Sequence, residues 1–262
     1  MFLLKLTLAP LLVALATLVA RKWGPKAGGV FIGFPLATGP IFLFLAIEQG
    51  PVFAEQATVG ILLGLVGLAG FAWIYAITSQ CVGWIGSLTM AALAYFAVSA
   101  GVSQLEISVI WAGVAGYVVL LVVASLIRRP QFVSSIQPAP WWDLWLRMVV
   151  AAALTMAITA AATTLGPLYS GILGTYPVVS TVVMTFTHHQ WGRDAAVDML
   201  RGSVLSWIAF VSCFLAIGLT LQPVGLAASL FLGLAAALAT SYFVLRSDRV
   251  FAEYARAKKP AS

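Results

Sequence analysis

Apolar runs of about twenty residues follow one another along almost the whole chain, and this pattern constrains the fold more than any other feature. Roughly 20 mainly apolar residues are enough for a helix to cross the hydrocarbon core of a bilayer. Of the 262 residues, 62% are hydrophobic and 8% are charged, whereas a soluble domain carries roughly a quarter charged residues. The sequence therefore predicts an all-α, polytopic membrane protein whose short loops leave no room for a soluble domain.

Polar residues, glycines and prolines separate the apolar runs from one another, and they predict nine transmembrane helices. The predicted bounds are 3–20, 28–47, 56–77, 80–99, 106–127, 144–164, 169–188, 195–219 and 223–245.

The basic residues of the loops fall on one side of the membrane when nine helices are drawn. This places the N-terminus outside and the C-terminus in the cytoplasm, with the chain in the cytoplasmic (inner) membrane of a bacterium. The net charge of +6 is thus explained by topology, and no basic cluster interleaved with aromatic residues indicates nucleic acid. The loop and tail residues that carry this argument are Arg21, Lys22, Lys26, Arg128, Arg129, Arg193, Arg201, Arg246, Arg249, Arg256, Lys258 and Lys259.

The chain also aligns with itself, without gaps, at an offset of 142 residues: 22 of the 95 pairs between residues 5–99 and 147–241 are identical. Each copy holds four helices, and the single helix between the copies turns the second upside down, as in many transporters. The first run resembles a signal peptide, but its partner in the second copy favours a retained first helix. The predicted units are repeat 1 (1–103), a linker with helix 5 (104–142), repeat 2 (143–246) and a basic tail (247–262).

The stretch "GPKAGGVFIGFPLATGP" (24–40) in helix 2 aligns with "GPLYSGILGTYPVVSTV" (166–182) in helix 7. A pair of Gly/Pro-interrupted helices in corresponding positions of two halves indicates a transport site. The alternative is that the glycines and prolines serve close helix packing and gentle kinks. On the first interpretation the helices restart at the two prolines and cross beside a polar cavity. The substrate-binding residues would be Gly33, Phe34, Pro35, Thr38, Thr175, Tyr176, Pro177 and Ser180.

Candidates for gating or coupling lie near predicted helix ends, and no carboxylate falls at the membrane midplane. A proton-sensing role for the adjacent histidines is weighed against a pair of solvated interfacial side chains. The acidic and basic residues three apart in helix 8 form a local ion pair or, alternatively, receive an anionic substrate. These candidates are Glu48, His188, His189, Asp198 and Arg201.

The second copy resembles the small GlpM-type bacterial membrane proteins, which are about one repeat long. Their pattern is a Gly-apolar-aromatic-Pro helix, a short polar turn, and a helix that opens with an acidic and a basic residue. The first copy departs from this pattern, because Gln56 and Val59 replace the charged pair. The resemblance implies a fused, inverted pair of such units. The matching positions are Gly171, Tyr176, Pro177, Asp198 and Arg201.

These features predict a secondary transporter or facilitator for a small, anionic or hydrogen-bonding solute. The alternatives are a membrane scaffold or accessory protein and an intramembrane enzyme on a lipid-linked substrate. Catalytic triad spacing, phosphate loops and dinucleotide fingerprints are missing, so an enzyme is not the prediction. The expected partners are membrane lipids and the solute, with a homodimer left open and no nucleic acid, cofactor or metal. Cys81 and Cys213 are expected to be buried free thiols.

Overall fold

The computed structural model describes residues 2–36, 38–127, 130, 140–165 and 176–257. This part of the chain is helical with connecting turns and contains no β-strand, which confirms the predicted all-α class. Arg128, Arg129, Lys258 and Lys259 of the charge argument lie outside the described residues. The helices are α1 (Phe2–Trp23), α2 (Pro25–Gly33), α3 (Thr38–Gln49), α4 (Pro51–Thr78), α5 (Trp84–Val102), α6 (Val109–Leu126), α7 (Asp143–Leu165) and α8 (Val178–Ala257).

Four glycines with positive φ angles mark sharp changes of direction. Gly24 (φ 93°) separates α1 from α2, and Gly50 (φ 85°) separates α3 from α4. Gly192 and Gly225 have φ angles of 82° and 79° and interrupt α8. Only glycine adopts this backbone conformation without steric cost. We therefore divide α8 into α8a (178–191), α8b (193–224) and α8c (226–257).

These breaks agree in part with the predicted helix bounds. Gly192 lies in the predicted loop between helices 7 and 8. The predicted break at 219–223 is too early, because the helix continues through Pro223 to Gly225. Pro223 carries no donor N–H and fixes its own φ in the helical range, whereas the positive φ at Gly225 is what ends the helix.

The middle of α8b forms the centre of the bundle, since every residue from 199 to 214 is buried. The helix α8 packs against α2, α4 and α6, while α1 packs against α7 and α2, and α5 packs against α4. A helix that is covered on all sides must satisfy its backbone internally and present small side chains to close neighbours. This central position puts α8b in contact with the broken helix described below.

Apolar side chains occupy the outer surface of the bundle as well as its core. In α5 the buried residues are Ser87, Ala91, Tyr95 and Ser99, which lie four apart on one face. Large apolar side chains such as Leu93 and Trp111 are exposed instead, and a wide exposed apolar surface marks contact with lipid. In the described part, five helices are long and apolar enough to cross a membrane. The described part of the chain is thus all-helical, and its long apolar helices indicate a membrane-embedded protein.

One end of the bundle collects positive side chains. α1 ends there and α2 begins there, and Arg21 of α1 pairs with Asp143 at the start of α7. Arg201, near the start of α8b, pairs with Asp248 of α8c. We call this end the basic end and define it by Arg21, Lys26, Arg147, Arg193 and Arg201. The turns at Gly50 and Gly225 lie at the opposite end.

Candidate functional site

The second predicted helix is broken in the middle, as its proline indicates. α2 ends at Gly33, and α3 begins at Thr38. Pro35 has no N–H with which to continue the helix, and the chain instead turns through a bond of 2.8 Å from the Leu36 N–H to the Phe34 carbonyl. α3 is then secured by a bond of 2.8 Å from the Gly39 N–H to the Pro35 carbonyl. The predicted restart at Pro35 agrees with this bond, because the carbonyl of an N-cap residue accepts the first intrahelical hydrogen bond.

The break lies close to the middle of an apolar segment that is long enough to span a bilayer. Residues Pro25–Gln49 together form one of the membrane-compatible segments. The nine residues of α2 rise about 13.5 Å at 1.5 Å per residue, which is close to half of a hydrocarbon core of about 30 Å. At this depth water does not satisfy freed backbone groups, so neighbouring protein or a polar cavity must do so.

The glycines of α2 serve packing rather than the break. A Cβ atom on Gly29 would lie 1.8 Å from the backbone oxygen of Met199 in α8b. One on Gly202 would lie 2.2 Å from the backbone oxygen of Lys26, and one on Gly33 would lie 2.5 Å from the Cβ of Ser206. The two helices therefore touch backbone to backbone, as small residues allow in membranes. The packing interpretation thus holds for these glycines, and the proline accounts for the break.

The second copy repeats the turn at the equivalent proline. Its Val178 N–H donates to the Tyr176 carbonyl at 2.9 Å, and its Thr181 N–H donates to the Pro177 carbonyl at 2.8 Å. These two bonds join the residues that lie 142 positions after those of the first copy. The following turn agrees as well, because Gly50 and Gly192 have almost the same φ and ψ angles. Thr175 and the rest of 166–175 lie outside the described residues.

The aromatic residues before the two prolines have different surroundings. The Tyr176 ring stacks on Phe96 with centroids 5.4 Å apart and meets Tyr95 edge-on at the same distance. Its hydroxyl accepts a hydrogen bond of 3.1 Å from Thr181. This ring is therefore fixed against α5. Phe34 is half-buried at the end of α2.

The hydroxyl residues after the prolines also differ in burial. Ser180 is buried in the first turn of α8, whereas Thr38 is half-buried at the first position of α3. The prediction that both face a shared polar cavity stays a prediction.

Serines of α8b, which the sequence analysis did not single out, lie beside the break. The Ser203 hydroxyl donates to the Gly29 carbonyl at 3.1 Å, so it covers a backbone group of α2. Ser206 is 1% exposed, and its hydroxyl is buried without a partner. A buried hydroxyl without a partner carries a desolvation cost. The only signal in the sequence was the three-residue spacing of these serines on one helical face.

The predicted histidine pair is divided between two environments. His188 is half-buried, and its Nδ1 lies 3.0 Å from the Tyr75 hydroxyl of α4. His189 is exposed and meets the Trp84 ring edge-on at 5.6 Å. The histidines thus connect α8a to α4 and α5 at the basic end.

Glu48, the other acidic gating candidate, is exposed near the end of α3, at the opposite end of the bundle.

The sequence predicts a local ion pair between Asp198 and Arg201, but the hydrogen bonds of Arg201 go to other groups. Its Nη2 donates to Asp248 at 2.8 Å, and its Nη1 donates to the carbonyls of Ala124 and Ile127 at 2.8 Å each. Asp198 lies within hydrogen-bonding reach of the backbone N–H of Lys26. A carboxylate is favourable there, because the first turn of α2 has free N–H groups and a partial positive charge.

A buried charged cluster at α7 was missed by the sequence analysis. The Asp143 and Arg147 residues are both 0% exposed. Asp143 accepts hydrogen bonds from Arg21 at 2.5 Å and from Arg147 at 2.8 Å. Gln190 of α8a bonds to both Asp143 and Arg147. The signal in the sequence was the four-residue spacing of Asp143 and Arg147, which puts both on one helix face.

Both cysteines are free, but Cys81 is exposed while Cys213 is buried, so burial was wrong for Cys81. It lies in the turn between α4 and α5 rather than inside a helix. Gln80 caps the end of α4 through the Ala76 carbonyl, and its repeat mate Gln222 bonds to Glu55.

Comparisons with known proteins do not add an assignment. No protein-family model, no curated protein and no solved structure matches the chain significantly. The resemblance to GlpM-type proteins therefore stays a prediction, and the function is argued from the chain itself.

Proposed function

We propose that the protein is a secondary transporter or facilitator that moves a small solute across the membrane by alternating access. The observation that carries the proposal is the repeated proline turn, with the same two backbone hydrogen bonds in each copy. One copy of the turn separates α2 from α3 near the middle of a membrane-compatible segment. Paired interruptions of this kind form the substrate sites of many transporters.

The proposal includes nine passes arranged as two inverted repeats. The glycine turns that divide α8 support three passes within it, because a continuous helix of 80 residues would extend roughly 120 Å. The agreement of the turns at Gly50 and Gly192 supports the duplication. The single helix between the two four-helix copies then places the second copy upside down in the membrane relative to the first.

The proposed orientation puts the basic end in the cytoplasm. Basic side chains accumulate on the cytoplasmic side of bacterial membrane proteins, and Arg21, Lys26, Arg147, Arg193 and Arg201 all belong to this end. The proposed location is the bacterial cytoplasmic membrane, with the N-terminus outside.

The substrate class follows from the groups beside the break. The end of α2 offers carbonyl oxygens, the start of α3 offers amide N–H groups, and Ser206 offers a buried hydroxyl. Helix N-termini favour anionic groups, and carbonyls accept hydrogen bonds. A small, hydrogen-bonding or anionic solute is therefore proposed.

A scaffold or accessory protein is the second candidate, because the glycines of α2 pack closely against α8b. Such contacts stabilise helix pairs without any transport. They leave Pro35 and Pro177 without a role, and for this reason we place transport first.

Swelling of liposomes tests the proposal. Proteoliposomes are placed in iso-osmotic urea or glycerol, or in the potassium salt of acetate, lactate or phosphate with valinomycin, so that potassium enters with the anion. They are expected to swell faster than empty liposomes for at least one solute. Saturation with solute concentration separates a carrier from a leak. If proteoliposomes that contain folded protein swell at the same rate as protein-free liposomes in all five solutes, the scaffold function is favoured.

A further inference from the structure

Two buried networks of charged side chains join the helices at the basic end. Neither belongs to the proline turns. Each contains one carboxylate that bridges two basic groups from different helices, and both carboxylates are nearly inaccessible to solvent.

The first network joins α1, α7 and α8a through Asp143. This carboxylate holds Arg21 of α1 and Arg147 of its own helix, and Gln190 connects it to α8a. The guanidinium of Arg147 also lies 4.8 Å from the centre of the Phe186 ring. The charged groups are thus enclosed, except for Arg21, whose side chain is 28% exposed.

The second network joins α2, α6, α8b and α8c through Asp248. This carboxylate holds Lys26 of α2 and Arg201 of α8b. Arg201 also donates to the last carbonyls of α6, which lack partners within their own helix. The Lys26 side chain is 36% exposed, so this network too lies next to the aqueous phase.

Buried charges are an expensive way to join helices permanently. Removing ions from water costs more than apolar packing of the same volume, so a static joint gains little from them. Charges beside water have a different property: when the helices separate, hydration replaces the lost ion pairs. An apolar joint that separated would instead expose hydrocarbon to water. Charged networks at the mouth of a bundle are thus suited to reversible opening.

We infer that the Asp143 and Asp248 networks are the closed gate of the basic end, and that both must open for a solute beside Pro35 to reach that side. The inference rests on the proposed transport function, because a scaffold needs no gate. Each carboxylate holds two cations together. Its removal weakens the attraction that closes the joint and favours the open state. Arg21 and Arg147 would then face one another, and Asp198 would be the carboxylate left near Lys26 and Arg201.

A cysteine introduced at Ser206 reports, without any solute, whether the gate is open, because the reagent must pass the gate to reach the thiol. The reporter is Ser206→Cys in a chain that also carries Cys81→Ser and Cys213→Ser. Membrane-impermeant thiol reagent is added to sealed vesicles of either orientation, and labelling rates are measured separately from each end. Asp248→Asn is the test variant. Asp194→Asn is its matched control, because Asp194 pairs with Arg193 at the same end but is about half exposed.

The gate predicts that Asp248→Asn raises labelling from the basic end at least about tenfold, since a buried pair that loses one partner shifts an equilibrium by more than this. Labelling from the opposite end should fall, because the two access states exclude each other. Asp194→Asn should change neither rate. If Asp248→Asn does not fold, Asp143→Asn is used instead, which removes the carboxylate of the first network and should shift both rates in the same directions.

Two results would overturn the gate. Equal rates in folded Asp248→Asn and Asp194→Asn chains mean that the network does not control access. If Asp248→Asn raises the labelling rates from both ends, the substitution has loosened the packing in general and the network is a structural joint. Because no solute is present, either result leaves the swelling assay to decide transport on its own.

Discussion

At the scale of single residues, Gly29 is the position where the packing leaves least room. An added Cβ would lie 1.8 Å from the backbone oxygen of Met199, and a backbone atom does not move aside as a flexible side chain does. We predict that Gly29→Ala destabilises the protein by about 3 kcal/mol or more, the upper range of overpacking. Thermal unfolding in detergent should show a Tm lower by at least about 5 °C.

Gly39→Ala is the matched control for this substitution. Gly39 is also helical, but nothing lies within 4 Å of its added Cβ. Alanine is the better helix former by about 1 kcal/mol, so the Tm should stay constant or rise. Equal effects of the two substitutions would contradict the close contact of α2 and α8b.

Asp143 is the residue whose charge the surroundings require most. It is fully buried and bonded to Arg21, Arg147 and Gln190. Asp143→Asn should cost about 3–5 kcal/mol, because it leaves a buried guanidinium without its counter-ion. Asp194→Asn removes an exposed pair, which is worth about 0–1 kcal/mol. Chemical unfolding of both variants in detergent checks this difference, and equal midpoints would show that the Asp143 network is not buried in the membrane-embedded protein.

At the scale of elements, the inverted repeat predicts a contact that lies outside the described residues. Val30 of the first copy and Ser203 of the second lie at the crossing of α2 and α8b. Their repeat mates are Ile172 and Ile61. We predict that cysteines at Ile172 and Ile61 are joined by a short bis-maleimide in a background without other cysteines. Cysteines at Val30 and Ser203 are the positive control. Cross-linking of the control pair alone would exclude the inverted arrangement.

The sequence could predict the break in helix 2 because its cause is local. Proline at position 35 removes a donor wherever the helix lies. The restart at Pro35 has the same local cause, whereas the bond from the Leu36 N–H back to the Phe34 carbonyl was not predictable from the sequence. The roles of Gly29 and Gly33 were open for a different reason. Their partners in α8b are about 170 residues away in sequence, and no local pattern encodes that distance.

At the scale of the whole molecule, the orientation can be tested by reporters fused to each terminus. With the basic end in the cytoplasm and nine passes, a C-terminal green fluorescent protein should fluoresce, while an N-terminal alkaline phosphatase should be active outside. The one-sided basic residues drive this orientation. Both termini on one side would require an even number of passes, which the division of α8 at Gly192 and Gly225 does not give.

The charged networks show where sequence reasoning stops at this scale. The acidic residues were correctly placed near helix ends, yet their partners were not identified. Arg21 and Asp143 are 122 residues apart, and Lys26 and Asp248 are 222 apart. Only the packing of α1 on α7, and of α2 beside α8, brings them together. Pairing of this kind follows from the assembled bundle rather than from any segment.

The central claim is that the paired proline turns take part in transport, and liposome swelling with proline variants tests it most directly. Pro35→Ala supplies an N–H that can bond to the Phe31 carbonyl and continue α2. Pro177→Ala supplies the corresponding N–H in the second copy. Pro51→Ala is the control, because Pro51 follows the N-cap Gly50 at the first position of α4, where proline is tolerated and its removal gains little. We predict that Pro51→Ala swells like the unsubstituted protein, while Pro35→Ala and Pro177→Ala remain folded and lose at least about 90% of the rate, a change of about 1.4 kcal/mol. Undiminished swelling in both folded variants would contradict the account.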